Sequence, residues 1–310
     1  MKDNSCLNII CVGANIESLF CLQNFADNHI RISGVITLPL NEEKRGSDYR
    51  NLAPFCNRHK IPIFYTDNIN SFQTKEWLLS MNPDVIFILG WSQIFDNELI
   101  QLPNKYIVGS HPSDLPYGAG RAPVVWTILE DLRESAVTFF KVIDEVDAGN
   151  IILKKHFYIP RMSTSKQLYD LVAKHLSDGF VEIYHQIINN LISEEKQDLS
   201  KRTLRVKRVF QDGWINFSRD ANEINRLIRA TTEPFPGAFS YYNNNRFTFW
   251  MSSLSDIVSQ SVNYGEVLDV YNNQVLVQCY NSTIWAFYLF FFQSCNFESI
   301  LFFLLNNFFK

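Results

Sequence analysis

The chain has 310 residues, of which 46% are hydrophobic and 19% are charged. This composition is typical of a globular protein and excludes a disordered one. The length predicts two domains, with one large domain as the alternative. The formal net charge of −4 and the pI of about 5.9 argue against a basic surface for nucleic acid.

The six cysteines show neither a CxxC pair nor metal-ligand spacing, so no metal is predicted. Several lie in apolar runs, which indicates buried free thiols in a reducing cytoplasm. The first apolar run, LNIICVGA, is too short and too interrupted for a signal peptide, and no membrane partner is expected.

The first hundred residues alternate between short apolar runs and helical patterns. The runs are bounded by turn residues, as buried parallel strands are. No GxGxxG follows the first run, so a dinucleotide site is not predicted. The alternation predicts a doubly wound, mostly parallel α/β sheet. Predicted strands are 7–14, 31–39, 62–67 and 84–91, and predicted helices are 17–26, 49–59 and 72–81.

The segment 109–152 carries the candidate chemistry. A predicted strand, YIVGS, leads directly to His111, and a second, VTFFKVI, leads to an acidic loop that contains Asp147. Ligands of open α/β sheets bind at the ends of strands, so this edge is a candidate site. Taken alone, a histidine before proline is more often an ordinary loop or core residue, and an acidic turn that ends in glycine is more often only a turn. Other elements predicted here are a helix from about residue 122, a strand over 151–159 and a helix over 163–192.

Four motifs in this segment occur together: HPSxLP from His111, Gly-Arg-Ala-Pro from Gly120, a VTF strand and a DxxDxG loop. In this combination the chain resembles the folate-dependent formyltransferases. The resemblance implies that His111 and Asp147 act together, at the family's usual spacing. It also implies 10-formyltetrahydrofolate as the formyl donor.

The third catalytic position departs from the family, which has Asn-x-His where this chain has Gly109 before Ser110 and His111. In relatives that asparagine amide helps to hold the formyl oxygen. We expect Gly109 to leave space and to supply no donor. Ser113 or a backbone N–H is expected to replace the amide, and Asn104 is less suited because it precedes the strand.

The resemblance also assigns binding positions. Asp114 stands where relatives have an apolar residue. It either binds an amino group or is simply exposed, and we interpret it as exposed. Arg121 precedes a predicted helix, where its guanidinium either meets a phosphate or carboxylate or is simply a surface group. The predicted folate contacts are Leu89, Gly90, Trp91, Ser92, Val142, Ile143 and Asp144, and the predicted substrate contacts are Pro112, Ser113, Gly120 and Arg121.

A charged stretch over 194–208 is interpreted as a linker or a solvated strand. Beyond it, DGWINF, IRA and PFPGAF resemble the region that follows the catalytic domain in sugar N-formyltransferases. Repeated strand patterns then predict a small, OB-like β-barrel. The predicted domains are a catalytic domain over 1–200, the barrel over 201–285 and an atypical Phe-rich tail over 286–310.

The sequence therefore predicts an enzyme that formylates an amino sugar, carried on a nucleotide, for a surface polysaccharide. Two alternatives stay open: a methionyl-tRNA formyltransferase, and an inactive homologue that binds folate or a nucleotide sugar. A homodimer is compatible with the sequence.

Overall fold

The computed structural model describes residues 7–40, 49–242 and 245–289. The chain divides into two compact units. The first comprises Met1–Thr127, Leu132–Arg161 and Gln167–Lys207, and the second comprises Ile128–Asp131, Met162–Lys166 and Arg208–Lys310. Residues 290–310 of the predicted tail lie outside the described residues, whereas 286–289 belong to a strand.

The first unit is built on a seven-stranded sheet. Its strands are β1 (Ile9–Val12), β2 (Gly34–Thr37), β3 (Ile63–Tyr65), β4 (Val85–Ile88), β5 (Tyr106–His111), β7 (Glu134–Lys141) and β8 (Ile151–Tyr158). Their order is β3-β2-β1-β4-β5-β7-β8, and β1 to β5 run parallel. Strands β7 and β8 are antiparallel to their neighbours. The predicted mostly parallel α/β sheet is confirmed.

Two-residue strands β6 (Ala119–Gly120) and β9 (Leu204–Arg205) pair with each other in parallel, apart from the large sheet. Strand β9 lies within the charged stretch that we expected to be a linker or a solvated strand. Leu204 is 68% exposed, so this part of the stretch is a solvated strand, and its backbone bonds to the loop that follows β5.

Helices connect the parallel strands, and their ends follow local chemistry. The helix predicted over 49–59 begins only at Ala53, because Pro54 has no backbone N–H to donate and fits best within the first helical turn. The helix predicted over 163–192 ends before Asn190, which adopts the left-handed conformation that stops a helix. The helices are α1 (Ile16–Asp27), α2 (Ala53–His59), α3 (Phe72–Met81), α4 (Asn97–Ile100), α5 (Pro123–Leu129), α6 (Ser165–Ile188) and α7 (Ala221–Thr231).

Aromatic side chains join helices to the sheet in the core of the first unit. The ring of Phe180 on α6 lies 5.2 Å from that of Phe87 and 5.0 Å from that of Phe139, both edge to face. Gly179 allows this approach, because a Cβ there would collide with the Phe139 ring. Truncating a buried phenylalanine of this kind costs about 3–5 kcal/mol, so this contact fixes α6 against the strand that leads into the acidic loop.

The second unit contains one five-stranded antiparallel sheet with the order β10-β11-β14-β13-β12. Helix α7 contributes Ala221, Ile224 and Ile228 to its core, at the spacing that places side chains on one helical face. Among the described residues, no ladder of hydrogen bonds joins the first and last strands of this order. The strands are β10 (Ala238–Tyr242), β11 (Asn245–Ser255), β12 (Val267–Tyr271), β13 (Gln274–Gln278) and β14 (Thr283–Leu289).

Within the described residues, no helix is long and apolar enough to cross a membrane, and no group of His, Cys, Asp or Glu side chains is placed to hold a metal ion.

Candidate active site

His111 ends strand β5 and is 6% exposed. Its Nε2 lies 2.9 Å from the carbonyl oxygen of Gly118, and its Nδ1 lies 3.8 Å from Oδ2 of Asp147. A carbonyl oxygen can only accept a hydrogen bond, so Nε2 carries the ring proton. In the neutral imidazole, Nδ1 is therefore the atom that is free to take up a proton, and it faces the carboxylate that would stabilise the resulting cation.

The pKa of His111 is lowered from its usual value, mainly because burial disfavours the charged imidazolium. The Asp147 carboxylate and the Gly118 carbonyl act in the opposite direction, and the positive charge of Arg205 adds to the lowering. The influence of Asp147 alone would raise the pKa of the imidazole, but burial outweighs it, so the neutral form of the ring is favoured.

Asp147 reaches His111 by a route that differs from the predicted one. Strand β7 runs antiparallel to β5, so Val142, which follows it, lies beside Ile107 and not beside His111. The loop must turn back along β5, and Asp147 adopts a φ of 54° within it. Its Oδ2 accepts a hydrogen bond of 3.0 Å from the backbone N–H of Gly120. The two residues do meet, but not because both strands end at one edge.

Because β7 is antiparallel to β5, three predicted folate contacts lie away from the sheet edge on which their prediction was based. The backbone N–H of Val142 donates to Ile107, and Ile143 and Asp144 follow as exposed residues of the loop. Their assignment to folate remains a prediction.

The other predicted folate segment does follow a strand that runs parallel to β5. Leu89 is buried, and both of its backbone groups are already bonded, the N–H to Val12 and the carbonyl to Ser18 Oγ. Gly90 has a φ of 84°, which turns the chain away from β4. Gly90, Trp91 and Ser92 are therefore the residues of this segment that can still contact a ligand.

Gly109 does not leave the space that we expected. A Cβ at this position would lie 3.0 Å from Val142 Cγ2 and 3.1 Å from Phe140 Cε2, which is tighter than an ordinary contact. Phe140 packs with Leu115 and Ala119 in a small apolar cluster, and Val142 packs against it. Apolar side chains therefore occupy the place where the family has an amide.

The loop after His111 contains the predicted substrate contacts. Ser113 is 2% exposed, and its Oγ has no hydrogen-bond partner among the described residues. Pro112 is half-buried beside it, and Gly120 provides the N–H bonded to Asp147. Arg121 is exposed. Asp114, which we interpreted as exposed, is partly covered and forms an ion pair of 2.6 Å with Lys154.

Sequence reasoning missed four residues that lie between 195 and 206, a stretch that we call the strap. Gln197 donates to the backbone of the acidic loop, as does Arg202, which also pairs with Glu145. Thr203 and Arg205 are bonded to the loop after His111. Only charge was visible in the sequence here, and charge alone does not reveal these contacts.

The family model for formyl transferase matches residues 15–184, and that for the formyl transferase C-terminal domain matches residues 209–289. The chain belongs to the formyl transferase family.

Among curated formyl transferases and their relatives, the chain is 31% identical over 198 residues to the bifunctional polymyxin resistance protein ArnA of Wigglesworthia glossinidia brevipalpis. That match covers 64% of this chain but only 30% of ArnA. The methionyl-tRNA formyltransferase of Alkaliphilus oremlandii is 27% identical over 274 residues, which are 87% of each protein. A solved N-formyltransferase from Helicobacter canadensis, in complex with folinic acid and dTDP-3-aminofucose, is 20% identical with a TM-score of 0.70. That fold match covers 91% of this chain and all of the other.

As a member of this family, the protein is a formyl transferase. The residues present suit a polar ligand, because Trp91 Nε1 and Ser113 Oγ are both buried without a hydrogen-bond partner in the described part of the chain. Buried polar groups are nearly always paired, so both atoms are available to a ligand or to water.

Proposed function

We propose that this protein transfers the formyl group of 10-formyltetrahydrofolate to the amine of a nucleotide-linked amino sugar, for the synthesis of a surface polysaccharide. The observation that carries the proposal is the buried His111–Asp147 pair, in which Nδ1 of a neutral imidazole faces a carboxylate at 3.8 Å. An amine that attacks a formyl carbon must lose a proton, and a neutral imidazole is a suitable base for it.

His111 accepts the proton of the attacking amine at Nδ1, since Nε2 is engaged with Gly118. Asp147 stabilises the imidazolium that forms, which makes the proton transfer easier in a buried site. When the bond between the formyl carbon and the nitrogen of tetrahydrofolate breaks, the imidazolium gives its proton to that nitrogen and the ring is neutral again. Both residues are held before the substrate arrives: His111 by Gly118, and Asp147 by the N–H of Gly120. Such preorganisation is a main source of catalytic rate.

The formyl oxygen gains negative charge as the amine adds, and it needs a hydrogen-bond donor. Gly109 has no side chain to donate. The hydroxyl of Ser113 is the better candidate, because it is buried, has no hydrogen-bond partner in the described part of the chain and lies two residues from His111. We assign it this role, with the backbone N–H groups of the same loop as further donors.

A nucleotide-linked amino sugar is the acceptor that the observations favour. The Helicobacter canadensis neighbour, whose fold covers nearly all of this chain, was solved with dTDP-3-aminofucose. The net charge of −4 and the pI of about 5.9 are unfavourable for binding tRNA, which relies on a basic surface.

Methionyl-tRNA is the second candidate acceptor. It is supported by the methionyl-tRNA formyltransferase of Alkaliphilus oremlandii, which matches 87% of this chain. An inactive homologue that only binds its ligands is the third possibility, and Gly109 is the feature that motivates it.

The first unit is the proposed catalytic domain, and the cytoplasm is the proposed compartment. Four cysteines of the described chain, Cys11, Cys21, Cys56 and Cys279, are buried free thiols. Such thiols are typical of proteins in a reducing environment.

The test follows the release of tetrahydrofolate with a panel of nucleotide amino sugars and, separately, with methionyl-tRNA. We expect turnover with at least one amino sugar and none with the tRNA. His111→Asn and Asp147→Asn should each abolish this turnover, by more than about 10²-fold. The matched control is His156→Asn, which changes an exposed histidine of β8 and should retain full activity. Turnover with methionyl-tRNA alone would show that the acceptor is the tRNA and not an amino sugar. No turnover with any acceptor would support the inactive homologue.

A further inference from the structure

The strap, residues 195–206, makes contact with both loops that hold the candidate catalytic pair. At its start, Glu195 pairs with Ile151 through two backbone hydrogen bonds of 2.7 and 2.8 Å. At its end, the carbonyl of Val206 accepts a hydrogen bond of 3.0 Å from Trp126 Nε1. The segment between these anchors is therefore fixed on the first unit at both of its ends.

Gln197 is the member of the strap that reaches the acidic loop most directly. Its Nε2 donates to the carbonyl of Asp147 at 2.9 Å and to that of Gly149 at 2.7 Å. The residue is 5% exposed. Both partners can only accept hydrogen bonds, so the orientation of the amide is decided by chemistry: the nitrogen faces the loop.

The acidic loop needs such an external tie. Asp147 has a φ of 54°, a conformation that costs energy for any residue except glycine. Gly149 packs so closely on the Lys141 carbonyl that a Cβ there would collide with it. The loop also leaves β7 beside Ile107 and has to return toward His111. Nothing in the strand geometry by itself brings the carboxylate to the imidazole.

The strap also ties the loop that holds the other side of His111. The backbone N–H of Gly118 donates to Thr203 Oγ1 at 2.7 Å, and the carbonyl of Gly118 is the partner of His111 Nε2. Ala119 and Gly120 pair with Leu204 and Arg205. One short segment, distant in sequence from both loops, thus contacts the residue on each side of the imidazole.

We propose that Gln197 is a positioning residue, which holds the backbone of Asp147 so that its carboxylate faces Nδ1 of His111. This inference rests on the proposed function, because Gln197 affects activity only if His111 and Asp147 are the catalytic pair. Gln197 touches no reacting atom; it acts through Asp147.

The test replaces the amide by a side chain of similar length that cannot donate, Gln197→Met. We expect kcat for formyl transfer to fall by about 10²-fold, the effect of a displacement of about 1 Å at a catalytic group. KM for the amino sugar should change little. The matched control is Gln278→Met in the second unit, where another buried glutamine donates to a backbone carbonyl, that of Cys279, at 2.7 Å. Its kcat should stay at the wild-type value.

A second readout does not depend on turnover. The imidazole of His111 is titrated by NMR in the wild type, Gln197→Met, Asp147→Asn and the double variant. The groups that act on this ring are Asp147, Arg205 and the Gly118 carbonyl, and only Asp147 should move when Gln197 is changed. We expect Gln197→Met to lower the pKa of His111 further. In the double variant it should add nothing to the effect of Asp147→Asn, because the two changes act through one contact.

If Gln197→Met does not fold, Gln197→Leu serves instead, since its uncharged apolar side chain cannot donate to the two carbonyls. Wild-type kcat and an unchanged His111 titration in the folded variant would overturn the proposal. A lower kcat with an unchanged titration, or additive effects in the double variant, would overturn it as well. If no acceptor is ever formylated but the titration behaves as expected, the proposed function fails and the positioning role stands.

Discussion

Replacing Gly109 by asparagine tests whether the family's amide can return to this site. A Cβ added at residue 109 would lie 3.0 Å from Val142 and 3.1 Å from Phe140, and an asparagine would add three more heavy atoms beyond it. Phe140 is 7% exposed and belongs to a packed apolar cluster, so it has little room to move away. The new side chain must either displace these two residues or strain the strand.

The expected cost has two parts. Overpacking a filled core costs roughly 1–3 kcal/mol, and burying an amide without partners costs roughly 1–3 kcal/mol more. We therefore expect Gly109→Asn to destabilise the protein by at least about 2 kcal/mol, which in a unit of this size lowers Tm by roughly 4–8 °C. Since the amide is not placed where it meets the formyl oxygen, kcat should not rise by the ~10²–10³ that an added oxyanion donor would give.

The assay compares thermal unfolding and tetrahydrofolate release for the wild type, Gly109→Asn, Val142→Ala and the double variant. Val142→Ala removes the nearest clashing atom, so it should recover part of the stability that Gly109→Asn loses. The two changes should thus be strongly non-additive. An unchanged Tm for Gly109→Asn, or strictly additive effects, would refute the argument that Val142 and Phe140 fill this space.

Three further predictions concern the same unit. The lowered pKa of His111 means that the folded state binds fewer protons than the unfolded state. The stability contributed by the neutral ring is therefore lost as the pH falls below about 6.5. Between pH ~7.5 and ~5.5, the Tm of the wild type should fall by more than the Tm of His111→Asn. Gly149→Ala should destabilise by about 3 kcal/mol or more in a denaturant titration, because its Cβ would collide with the Lys141 carbonyl. Asp114→Asn should cost less than about 1 kcal/mol in the same titration, since its ion pair with Lys154 is partly exposed; a larger loss would show that this pair holds the loop after His111.

The sequence alone determined the class of the fold and predicted the candidate catalytic pair. Runs such as Ile9–Val12 and Val85–Ile88 consist entirely of apolar residues, which indicates buried strands. The parallel sheet was therefore predictable from local patterns. His111 and Asp147 were predictable because their motifs are contiguous and resemble those of a known family. Neither inference required knowledge of distant contacts.

Only the tertiary structure decided how that pair is held. The direction of β7 depends on long-range hydrogen bonding to β5, which leaves no mark in the sequence of the eight-residue strand itself. The occupation of the space at Gly109 depends on two side chains from another strand and the loop after it. Gln197 looked like one polar residue in a charged stretch, because a side chain that bonds to backbone 50 residues away has no local signature. The residues of a motif can be recognised from their neighbours in the sequence. The contacts that position them form only when the chain has folded.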